Sequence, residues 1–120
     1  FIFQKPIDGL IDKVIKQYSD DIVKQSLVED GYERTNVWKF PPDTKSKHPA
    51  PYPTALSDRI IKYYSYKHDL VLDPFMGSGT TAVSAKSLDR KFVGCEIHEE
   101  YVSMAEERLA KVNPLASLYE

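Results

Sequence analysis

At 120 residues, with 42% hydrophobic and 28% charged side chains, the chain has the make-up of one ordinary globular domain. A formal net charge of -2 gives no sign of the basic face that most DNA-binding domains carry. No apolar run approaches the ~20 residues of a membrane span and no signal peptide stands at the start; the lone Cys95 excludes an internal disulfide and fits a reducing, cytoplasmic setting.

In chain order, "FIFQK" reads as a short strand closed by Pro6, and its start without methionine reads as cut from something longer. Ile7, Leu10, Ile11, Val14, Ile15 and Tyr18 fall on one face of an amphipathic helix. Ser19 caps a second helix, Asp20 to Glu29, with Ile22, Val23 and Leu27 inward and Gly31 as its stop. "NVWKF" at 36–40 is a short strand or an extended segment, and residues 41–53, with five of the eight prolines, form a rigid extended crossing. Thr54 caps a helix to about Tyr66 that buries Leu56, Ile60, Ile61 and Tyr64. "DLVLD" and "KFVGCE" read as buried strands, with Cys95 an inert interior thiol, and a helix over Gly79 to Leu88 lies between them. A last helix runs from Glu99 to about Val112, stopped by Asn113-Pro114. Strand, helix, strand, helix in that order predicts a right-handed βαβ unit with parallel strands.

The chemistry concentrates in "DPFMGSGTT", residues 73–81. Gly77-Ser78-Gly79-Thr80-Thr81-Ala82 satisfies the G-x-G-x-x-G/A dinucleotide fingerprint. Two features argue against a dinucleotide. Asp73-Pro74-Phe75-Met76 intervene before the first glycine, which in that fingerprint follows the strand almost at once, and Asp73 would face a pyrophosphate at the helix N-terminus meant to attract it. Like charges ~4 Å apart repel by roughly 4 kcal/mol at an effective dielectric of 20. A ligand that is cationic on that side suits Asp73, and S-adenosylmethionine brings an ammonium, a sulfonium and no phosphate. Its carboxylate suits the free amides of the following helix. Glu96, at the tip of the second strand, can accept from both ribose hydroxyls, and Ile97 is placed to press on adenine.

"DPFMGSGTT", preceded by "KHPAPYP" and followed by "FVGCEIHEEYVSMAEERL", resembles the C-terminal half of an amino-group DNA methyltransferase of the β arrangement, a family that methylates adenine N6 or cytosine N4. The resemblance is strong over residues 45–110, weaker at 1–6 and 36–40, and absent at 7–35. It implies a partial Rossmann-like α/β methyltransferase fold with parallel strands. Residues 1–6 become the closing strand of the catalytic half, 7–35 a helical target-recognition-like insertion, and 36–120 the portion that binds S-adenosylmethionine. The resemblance also assigns residues. Asp73, Phe75, Gly77, Ser78 and Gly79 form the glycine loop around the methionine part, and Thr80 and Thr81 its hydroxyl pair. Glu96 and Ile97 hold the nucleoside, and Lys47, His48 and Pro49 close over the methionine end. Double-stranded DNA is the implied substrate, in a restriction–modification or regulatory setting.

The family's catalytic tetrapeptide (Asp, Asn or Ser, then Pro-Pro and an aromatic residue) is absent. Phe40-Pro41-Pro42-Asp43 has the reverse order. No catalytic residue and no metal set is therefore expected in this chain. Its partner would be the missing catalytic half, as another segment or chain, and the wide apolar stripe of 7–30 extends the expectation to a homodimer. The alternatives are a non-catalytic donor-binding subunit of a split enzyme and, disfavoured by Asp73, an NAD-dependent oxidoreductase domain.

Overall fold

The computed structural model describes residues 17–28, 37–42 and 52–112. The expected strand at "FIFQK", most of the helix from Ile7, the Gly31 stop, Lys47, His48 and Pro49, and the Asn113-Pro114 stop lie outside these residues. The described elements are α1 (Asp20–Gln25), α2 (Thr54–Tyr64), β1 (Leu70–Asp73), α3 (Thr80–Ser87), β2 (Lys91–Gly94) and α4 (Glu99–Ala110).

Strands β1 and β2 pair in parallel, Leu70 opposite Lys91 through Asp73 opposite Gly94, as the strand–helix–strand order requires. Pairing continues past the strand ends, where Cys95 N–H donates to Asp73 C=O at 3.0 Å and Met76 N–H to Cys95 C=O at 2.9 Å. Helix α3 lies across the pair and packs against α2 and α4. Its buried residues are small (Ala82, Ser84 and Ala85), and Ala105 of the neighbouring α4 is buried too. Small side chains let the helix axes approach closely, so the core is compact but modest in apolar area.

The second face of the sheet is open. Leu70, Leu72, Lys91 and Val93 share it by register, and the three apolar residues are 64%, 65% and 46% exposed. The expectation of buried strands is thus corrected: among the described residues, helices cover one face of the pair. Cys95 is exposed and stands one residue past β2, so it is not an interior thiol.

Helix ends also differ. Ser19 does cap α1, its hydroxyl accepting from Ile22 N–H at 3.4 Å, but the helix stops at Gln25, and Leu27 is exposed rather than inward. Pro53, not Thr54, occupies the N-cap of α2, and Tyr64 is exposed because the helix turns only Ser57 and Ile61 fully inside. Residues 37–40 are irregular, and Trp38 stacks on Tyr63 at 5.5 Å, with Arg59 over the Trp38 and Phe40 rings.

At the N-terminal end of the strands, buried Arg90 donates to Leu88 C=O and Ser65 C=O at 2.6 and 2.7 Å and to Ser65 Oγ at 3.2 Å. Burial lowers this guanidinium from its usual range against the pull of Asp69 and Asp89. Tyr18 lies at a bend, not on a helix face. It donates to Asp69 Oδ1 at 2.8 Å and packs on Tyr66 with ring centroids 4.4 Å apart. Together with Lys67 N–H donating to Ser26 Oγ at 3.0 Å, this fastens residues 17–28 to the turn that leads into β1.

Tyr18 supplies a pH test. Burial first, then the hydrogen bond and charge of Asp69, push its phenol up to about 12. The folded state therefore favours the neutral phenol. Its contribution to stability is complete below the ordinary value near 10 and is lost as pH rises from there through about 12. Denaturant titrations between those values should show this decline in wild type and a flatter one in Tyr18→Phe; parallel declines would contradict the assignment.

Candidate functional site

The strand tips carry the site. Asp73, last residue of β1, has its Oδ1 accepting Phe75 N–H at 3.1 Å and its Oδ2 accepting the Thr81 hydroxyl at 2.6 Å. The first bond is an Asx turn that bends the chain off the strand. The second reaches across to α3, so one carboxylate fixes both ends of the glycine turn.

Between these ends, Gly77 and Gly79 have φ of 53° and 82°. Left-handed backbone costs an L-residue, and Gly79 has a further constraint: a Cβ there would stand 2.6 Å from Ala105 Cβ. The turn thus rests directly on α4. From that helix Arg108 Nη1 donates to Ser78 C=O at 2.7 Å and to Ser78 Oγ and Thr80 Oγ1 at 3.1 Å. Ser78 and Thr80 are buried, with hydroxyls turned into the protein, so contact with a ligand falls to their backbone.

Glu96, two residues past β2, closes the other side. Its Oε2 accepts Gly77 N–H at 2.9 Å, and its Oε1 accepts Ile97 N–H at 2.8 Å and His98 N–H at 3.0 Å. The carboxyl is held below the usual carboxylate range, chiefly by the His98 N–H, with the Ile97 and Gly77 bonds adding to it against a desolvation cost. Three N–H donors occupy most of the roughly four lone-pair positions of a carboxylate, leaving space for about one more bond. This bears on the expectation that Glu96 receives both ribose hydroxyls: a second one would require one of these three N–H bonds to open.

Phe75 and Ile97 flank the turn with 88% and 89% exposure. An open groove of about 770 Å³ runs from Asp73 and Phe75 along β1 and α2, with Tyr52 and Thr81 at one end and Leu70 and Tyr64 further along. Tyr52 and Thr81 hydroxyls lie 2.6 Å apart.

Asp73, Phe75, Gly77, Ser78, Gly79, Thr80, Thr81, Glu96 and Ile97 therefore gather at the C-terminal ends of two parallel strands, where open α/β sheets bind ligands. Two contributors have no assigned role in the sequence reading. Arg108 stands among other charged residues in "AEERLA", where spacing gives no sign of its target, and Tyr52 belongs to the "KHPAPYP" stretch without marking which hydroxyl it meets.

A family model for DNA methylases matches residues 3–107. The orphan methyltransferase M.BamHII of Bacillus amyloliquefaciens is 40% identical over 94 residues, 72% of this chain and 36% of its own length. TTHA0409, a putative DNA modification methylase from Thermus thermophilus, superposes with a TM-score of 0.66 at 26% identity, covering 95% of this chain and 42% of that one. The complex of M1.HpyAVI with SAM superposes at 0.55 with 39% identity over 65% of this chain and 42% of its own. The chain thus spans little more than a third of the curated relative's length.

The Glu96 bonds set an acid limit on the turn. A lowered carboxylate contributes stability that is complete above the ordinary value, near 4.3, and is lost as pH falls through the lowered one. The Gly77 and His98 amide resonances should hold steady down to that ordinary value and move together only below it. Movement centred at or above the ordinary value would show that the latch does not form.

Proposed function

The chain belongs to the amino-group DNA methylase family, and on that footing we propose that it is the part of a DNA methyltransferase that holds S-adenosylmethionine. The observation that carries this reading is the pair of carboxylates, Asp73 and Glu96, on either side of a glycine turn at the strand tips. Two negative charges there repel a pyrophosphate and favour a ligand with cationic centres and a ribose. The residues fit such a donor. Among the described residues, Asp73 uses two of its roughly four acceptor positions and Glu96 three, so each retains capacity for a ligand. Phe75 and Ile97 offer exposed apolar surface on the two sides of the turn. That M1.HpyAVI was solved with SAM supports the same ligand here.

When bound, the donor supplies an electrophilic methyl on sulfur; transfer to an amino nitrogen of adenine or cytosine forms N–C, breaks S–C and releases a proton from the nitrogen. This chain's part would be to bind and orient: the free amides at the start of α3 would meet the donor carboxylate, Asp73 its cationic side, and Glu96 a ribose hydroxyl. Lys47, His48 and Pro49 are proposed to close over the methionine end. Orienting the flipped base falls to the tetrapeptide that the sequence lacks. The uncovered face of β1 and β2 and the adjoining groove are where we place the remaining half of the enzyme.

S-adenosylmethionine should raise the thermal midpoint of the full-length protein that carries this chain, while NAD should not. Glu96→Ala should weaken the donor roughly ten- to a hundredfold in calorimetry, as loss of a charge-assisted hydrogen bond implies. Stabilisation by NAD alone would overturn the reading.

Residues 1–120 by themselves should transfer no methyl groups to DNA, because nothing in them orients the acceptor nitrogen. Tritiated-methyl incorporation by this polypeptide alone would reveal a catalytic site not identified in it.

A further inference from the structure

Tyr52 stands where the proline-rich stretch ends and α2 begins, partly exposed at the mouth of the groove. Its hydroxyl oxygen is 2.6 Å from Thr81 Oγ1, which is itself 2.6 Å from Asp73 Oδ2. The direction of this chain follows from counting protons. The Asp73 carboxylate only accepts, so the single Thr81 proton points at Asp73, and the Tyr52 hydroxyl must be the donor to Thr81. Each link polarises the next, and a donor aligned on Thr81 strengthens the bond that Thr81 gives to Asp73.

Among the described residues, the other bond to the Asp73 carboxylate comes from the Phe75 amide of its own turn. Thr81 is therefore the contact that sets this carboxylate relative to α3, and Tyr52 sets Thr81. We infer that Tyr52 is a positioning residue for the donor: through Thr81 it fixes the Asp73 carboxylate that receives the donor's cationic side. Tyr52 touches no reacting atom in this scheme and acts only through the Thr81 hydroxyl. The inference rests on the donor reading given above.

A hydroxyl-specific role and a packing role separate in a mutant cycle. Calorimetry with S-adenosylmethionine on the full-length protein carrying this chain compares wild type with Tyr52→Phe, each also in Thr81→Ser and Thr81→Val backgrounds. Tyr52→Phe keeps the ring and should weaken donor binding roughly three- to tenfold, the scale of one neutral hydrogen bond. The loss should persist in Thr81→Ser, which retains the hydroxyl, and vanish in Thr81→Val, which does not. Equal losses in both backgrounds, or none in wild type, would overturn the inference while leaving the donor reading intact. Absence of donor binding by wild type would overturn the donor reading, and this inference with it. If Tyr52→Phe also lowers the donor-free thermal midpoint, the contrast between the Ser and Val backgrounds still decides.

Discussion

The Glu96 carboxylate, accepting the Gly77 amide across 2.9 Å, joins the tip of one parallel strand to the turn that leaves the other. Parallel strands have no hairpin to hold their ends, so beyond the ladder bonds that run on to Cys95 and Met76 the tips are kept together by side chains and by the crossover helix. Here both operate. The helix α3 packs across the sheet, and Glu96 gathers the Gly77, Ile97 and His98 amides around one negative charge. Those amides would otherwise point at the open end of the site with no partner, and the charge lowers the cost of aligning them.

Around this latch the charges are arranged in layers. Asp73 and Glu96 face the open side of the turn, while Arg108 supports it from beneath through Ser78 and Thr80. A cation at the start of α3 opposes the helix dipole, so by itself it would be unfavourable. Its hydrogen bonds to one carbonyl and two hydroxyls offset that cost and hold the turn against α4, where Gly79 leaves no space for a side chain. At the opposite end of the strands, Arg90 and Asp69 perform the corresponding fixing, with Tyr18 bound to Asp69. Residues 17–28 are thereby attached at the end of the sheet away from the glycine turn.

Among the described residues the sheet is covered on one face, and this follows from the side chains rather than from chance. Small residues on the inner side of α3 seat the helix closely over β1 and β2, whereas Leu70, Leu72 and Val93 project from the other face, largely exposed. Parallel strands are stable in water when both faces are covered. This apolar face and the adjoining groove of about 770 Å³ are the surface on which the proposal above places the remaining half of the enzyme.

The sequence by itself determined the order of the described elements from α2 onward, the parallel pairing and nearly the whole turn. Those features are local: apolar runs, glycines two apart and a carboxylate at each strand end are legible because their causes lie within a few residues. Burial of the strands was not legible in the same way, since a continuous apolar run such as "DLVLD" looks the same whether one face is covered or two. Exposure depends on what lies over the strand, which no local pattern encodes. Helix ends shifted for a related reason, with Pro53 taking the cap expected of Thr54 because a preset φ serves that position without a side-chain bond. Only the tertiary structure decided the partners 19 to 30 residues apart: Glu96 with Gly77, Tyr52 with Thr81, and Arg108 with Ser78. Any of several acidic, aromatic or basic side chains could have met those turn groups, and the packing of α3 between α2 and α4 selects which one does.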